Sequence, residues 1–78
     1  MTMSEAVPGV DYRIISVMGG CRLNSRLCAI GLVPNEKFKV VNNCFRGPLT
    51  VSVKGSRVAI GRHVADKILI RPVRRTGD

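Results

Sequence analysis

The side chains that could bind a metal, or act as nucleophile and base, are Cys21, Cys28, Cys44 and His63, with carboxylates at Glu5, Asp11, Glu36 and Asp66. Thiolate and imidazole are strong ligands for zinc and related ions, and structural zinc sites are marked by paired spacings such as CxxC or HxxxH. Neither spacing occurs here. Cys21 and Cys28 stand seven positions apart. On one helix they would share a face yet lie about 10 Å apart along the axis. One tetrahedral ion with metal–sulfur bonds of ~2.3 Å cannot span that gap. The thiols therefore read as small apolar fillers or free surface groups. The expectation is a chain with no obligatory cofactor. Any Fe2+ or Zn2+ would be bound weakly, between two chains or by one or two of Cys21, Cys28, Cys44 and His63.

Catalysis finds little support in the same residues. Cys44 and His63 could form a nucleophile–base pair, but nothing nearby in sequence supplies the group that orients the base. Gly19-Gly20-Cys21 has neither the spacing nor the Lys-Ser/Thr of a phosphate-binding loop. No catalytic residue is assigned, and the chain reads as a non-enzyme.

A formal net charge of +8 on 78 residues demands an acidic environment or partner. Nucleic acid, anionic lipid and an acidic protein surface all meet that demand. Single-strand binders on small barrels stack bases on aromatic side chains. Only Tyr12, Phe38 and Phe45 are available, and Phe38 falls on a core position. No helix carries the residues of a recognition helix. Nucleic acid is the less favoured partner. No apolar run approaches the ~20 residues of a membrane span. Met1–Ala6 lacks the basic and apolar regions of a signal peptide. Three cysteines without paired spacing suit a reducing compartment. These features predict a cytoplasmic protein, at most peripheral to the inner face of the membrane.

The elements that must position these residues follow from periodicity. Leu23, Leu27 and Ile30 fall at i, i+4 and i+7, one face of a short helix within 19–36. Gly31 can close that helix in the left-handed conformation, Leu32 can pack back on its last turn, and Pro34 prevents resumption. Strands are expected at 12–18, 37–42, 49–53, 57–60 and 67–72. Lys54-Gly55-Ser56 reads as a hairpin turn, and 62–66 has room for one helical turn. In the first strand Ile14, Ile15 and Val17 place apolar groups on both faces, so one face is expected to meet the core and the other the helix. The expected core is Leu23, Leu27, Ile30, Phe38, Val40, Leu49, Val51, Val53, Val58, Ile60, Ile68 and Ile70. About five short strands, one helix after the first and one helical turn before the last describe a mainly β, small closed or nearly closed barrel. One domain is expected over 1–78, with its core over 8–73 and a basic tail at 74–78.

Several residues carry a resemblance. Arg26-Leu27, Ile30-Gly31-Leu32 with Pro34 and Asn35, Gly47-Pro48 leading Val51 and Val53, then Ala59-Ile60, Ala65 and Ile68 resemble the FeoA family in order and spacing. Asn35 stands where that family usually has Gly, a tolerable change because Asn also enters the left-handed region. The resemblance implies an SH3-like barrel and an accessory role to FeoB, the membrane GTPase-permease for ferrous iron. The same domain occurs fused to metal-dependent repressors of the diphtheria-toxin-repressor type. The absence of a helix-turn-helix before it here favours the transport accessory. Metal-responsive domain and basic nucleic-acid-binding barrel stand as the alternatives. The family brings no shared ligand set, so no metal residue is carried over.

The outward helix face is the expected partner surface. With Leu23 at zero, Leu27 and Ile30 lie near about 40° and 340°, while Cys21, Cys28 and Ser25 lie near about 160°, 140° and 200°. Small residues bordered by arginines permit close approach and charge-assisted hydrogen bonds. Arg22, Ser25, Arg26 and Cys28 are therefore expected to contact the transporter's cytosolic domain or a second copy of the chain.

Overall fold

Strict alternation makes the strand over Leu49–Val53 the best-determined element: Leu49, Val51 and Val53 are buried, and Thr50 and Ser52 between them are only partly so. In the computed structural model, which describes residues 1–44 and 47–73, this is β3. It lies among β1 (Asp11–Val17), β2 (Lys37–Asn43), β4 (Ser56–Ile60) and β5 (Ile68–Pro72). All pair antiparallel in the order β4-β3-β2-β1-β5. Helix α1 (Gly20–Ala29) links β1 to β2, and α2 (Arg62–Ala65) links β4 to β5. Val53 pairs with Ser56 across a two-residue turn in which Lys54 and Gly55 both have positive φ (51° and 80°), the geometry that matches strand twist.

Helix α1 ends as its sequence dictates. Gly31 is left-handed (φ 95°), the Leu32 N–H donates to the Leu27 carbonyl at 2.8 Å, and the Gly31 N–H donates to Cys28 at 3.1 Å. This paired closure satisfies two of the orphan carbonyls and brings Leu32 onto Leu27, both buried. Asn35 is left-handed as well (φ 71°), and its N–H donates to the Ile14 carbonyl at 2.7 Å, leading the chain into β2.

Three core expectations change. Ile30 is 40% exposed. It is the C-cap residue (φ −98°, ψ 3°), so the helical projection that turned it inward no longer applies, and Leu32 fills the position instead. Leu23 and Val58 are half-buried, the first on a groove wall and the second on an edge strand. The other nine expected core residues are buried.

The reading of β1 also changes. Register shifts opposite β5 between Ile14 and Ser16, and β2 shifts opposite β3 between Val40 and Asn42. Ile15 and Val41 are the extra residues of these bulges, and both are exposed, so Ile15 does not pack under the helix as expected. The N-terminus, expected to lie outside the 8–73 core, contributes to it. Met3 and Ala6 are buried, a 3₁₀ turn covers Met3–Glu5, and Thr2 bridges Leu69 at the outer edge of β5. Tyr12 is buried too, stacked on Phe38 with ring centroids 6.0 Å apart, and its hydroxyl accepts from the Val7 N–H at 2.9 Å.

Candidate functional site

One face of the molecule carries an open groove. It runs between α1 on one side and the end of β4 with α2 on the other. Two joined hollows of about 190 and 240 Å³ share Leu23, Arg26 and Val64. Apolar groups form the floor: Leu27 and Ile60 are buried, Leu23 and Val64 half-buried, and Ile30 stands at one end. Exposed basic groups form the rim: Arg22 and Arg26 on α1, His63 on α2, and Lys67 just beyond it. The side chains of Arg22, Arg26 and Lys67 are exposed and form no ion pair among the described residues. The Lys54–Glu36 pair at 3.5 Å lies at the exposed hairpin turn, where such a contact contributes little.

Helix α1 is lightly held. The helix packs chiefly on β1, through Leu27, its one buried residue. The opposite wall of the groove is fixed more firmly. Ala65 buries α2 in the core. Arg62 reaches across to the N-terminal segment: its Nη1 donates to the Ser4 carbonyl at 3.2 Å, and its Nη2 donates to Asn43 Oδ1 and the Cys44 carbonyl. Asn43 completes the knot by donating to the Ala6 carbonyl at 2.6 Å. Hydrogen bonds thus join α2, the end of β2 and the N-terminal turn.

The expected site residues separate into two groups. Arg22, Ser25, Arg26 and Cys28 are all exposed, but only Arg22 and Arg26 line the groove. Cys21, Cys28 and Cys44 are free and exposed. Among the described residues no three His, Cys, Asp or Glu side chains approach closely enough to hold one metal ion. The basic tail and the loop residues Phe45 and Arg46 lie outside the described residues. Sequence reasoning missed the opposite wall, made by Ala59, Gly61, Val64 and Lys67 together with His63, which it had weighed only as a metal ligand or base. The two aromatics needed for base stacking, Tyr12 and Phe38, are both buried, which leaves the described surface without a stacking platform.

A mainly β, SH3-like domain of five antiparallel strands, carrying a basic-rimmed apolar groove, is the class these features define. The chain belongs to the FeoA domain family, whose model matches residues 1–72. It is 34% identical over 76 residues to the protein provisionally named Fe(2+) transport protein A in Methanocaldococcus jannaschii, covering 97% of this chain and 92% of that one. Its fold superposes with a TM-score of 0.88 on the crystal structure of an iron uptake regulatory protein, FeoA, at 30% identity over 94% of this chain and 97% of the other. It also matches FeoA of Stenotrophomonas maltophilia, described as a prokaryotic SH3 domain protein and crystallised with zinc. There the TM-score is 0.78 at 25% identity, over 91% of this chain and 89% of that one.

Proposed function

We propose that this protein is a non-catalytic accessory of ferrous iron uptake that docks on the cytosolic part of an FeoB-type GTPase-permease. Family membership and the Fe(2+) transport name of the Methanocaldococcus relative support the iron-uptake assignment. The Stenotrophomonas protein is described as a candidate activating factor for ferrous iron transport, in keeping with an accessory role. The observation that carries docking is the groove: an apolar floor for partner side chains, rimmed by Arg22, Arg26, His63 and Lys67. A net charge of +8 draws such a surface toward acidic protein and toward the anionic inner leaflet where a permease sits. The protein works in the cytoplasm as one domain, and no helix of the described chain is long and apolar enough to cross a membrane. Transition-metal binding, where it occurs, uses one or two of Cys21, Cys28, Cys44 and His63 per chain and is weak.

The test is direct binding of the purified chain to the permease's cytosolic region across a salt series. Arg22→Glu with Arg26→Glu should leave the melting temperature in place, because both side chains are exposed. It should weaken binding most at low salt, where these charges are least screened. Affinity unchanged by the double reversal at every salt concentration would remove the groove from the interface.

A further inference from the structure

The two edges of the sheet are treated differently. The outer edge of β5 is covered, since Thr2 bridges Leu69 and the Ile70 N–H donates to the Met1 carbonyl at 2.8 Å. The outer edge of β4 has no ladder partner among the described residues. Register tells which of its groups are open. Val53 and Ser56 flank a two-residue turn, so they form a hydrogen-bonded pair, as do Val51–Val58 and Leu49–Ile60. Arg57 and Ala59, at the alternate positions, point their N–H and C=O groups away from β3. Ala59 lines the groove beside α1.

We propose that an extended acidic segment of the partner adds to this edge as a sixth strand and fills the groove. This rests on the reading of the groove as the docking surface, and it adds the conformation and chemistry of the occupant. Free backbone groups at a sheet edge bind extended chain by main-chain hydrogen bonding, while pockets beside the edge select alternate side chains. Here the hollow floored by Leu23, Leu27 and Val64 receives apolar side chains, and carboxylates at the intervening positions, on the opposite face of the added strand, meet Arg57. The partner sequence therefore alternates apolar and acidic residues. Charge decides against a second copy of the chain: edge-to-edge pairing would set Arg57 near its equivalent between two molecules of net charge +8, and a charged edge is a common defence against such pairing.

The probe is the synthetic peptide Glu-Val-Glu-Ile-Glu-Val-Glu, titrated into the ¹⁵N-labelled full chain. Shifts and slowed exchange are expected at the Arg57 and Ala59 amides. Ala59→Pro removes one outward N–H at a position where an edge strand tolerates proline. It should hold its melting temperature and bind the peptide about tenfold more weakly. The same peptide N-methylated at alternate amides should lose binding to the native chain, which decides the matter even if Ala59→Pro does not fold. Absence of peptide binding, shifts confined to other elements, or full affinity for the N-methylated peptide would overturn the proposal. Two results with the permease's cytosolic region separate this inference from the docking reading. Native chain and Ala59→Pro binding it equally would overturn edge addition and leave docking standing. No binding by the native chain would overturn docking, and the peptide result would then decide edge addition alone.

Discussion

Replacing Leu27 by Ala tests the attachment on which the groove depends. Leu27 is the one buried residue of α1, at 4% exposure. A ten-residue helix is too short to persist in water without a packed face. Truncating a buried leucine costs about 2–5 kcal/mol. A domain of 78 residues, at about 0.05–0.15 kcal/mol per residue, has roughly 4–12 kcal/mol in all. At about 4–8 °C per kcal/mol for a domain of this size, the melting temperature should fall by at least about 8 °C. Local loss should accompany the global one. The Leu32 amide, donated to the Leu27 carbonyl at 2.8 Å, reports the helix exit directly. Its hydrogen exchange should accelerate more than that of the Val51 amide in β3, because the helix can detach while the sheet stays paired. Calorimetry and amide exchange on the same sample read both effects. A melting temperature within a degree or two of the native chain, with Leu32 still protected, would refute the claim that Leu27 pins α1.

The wall opposite α1 should respond to Arg62→Met. The change leaves the Ser4 and Cys44 carbonyls without this donor and is expected to destabilise by about 1–3 kcal/mol in a denaturant titration. Deleting residues 1–6 removes the buried Met3 and Ala6 and uncovers the edge of β5. The shortened chain should unfold at lower temperature and associate on a sizing column, as an uncovered edge invites. The combined variant Cys21→Ser, Cys28→Ser, Cys44→Ser and His63→Ala should shift the melting temperature by no more than about 2–4 °C per substitution, because all four side chains are exposed and surface substitutions usually stay within about ±0.5 kcal/mol. A large drop, or a melting temperature of the native chain that rises steeply with added Zn2+, would point to a metal-organised site instead.

What the sequence determined by itself was whatever depends on local periodicity and turn chemistry. Alternation set β3 residue for residue. Gly31, Leu32 and Pro34 set the exit of α1, because a left-handed residue, a returning apolar group and a missing N–H act within a few positions of one another. Asn35 was legible on the same ground. The order of motifs from Arg26 to Ile68 pointed to the FeoA family, and Arg22 and Arg26 were picked out as basic residues flanking the helix's packed face. Tertiary structure decided the rest. Ile15 and Val41 broke the alternation of their strands, but whether an extra apolar residue marks a bulge or a second packed face depends on the partner strand's register, which one segment does not contain. Met3 became core because residues 1–6 lie against β5 and α2, more than fifty positions later in the chain. The groove is the clearest case. Its far wall comes from Ala59–Lys67, and nothing local says that these residues stand across from Arg22 and Arg26. That opposition exists because the five-strand sheet curls until the end of β4 and α2 stand across from α1.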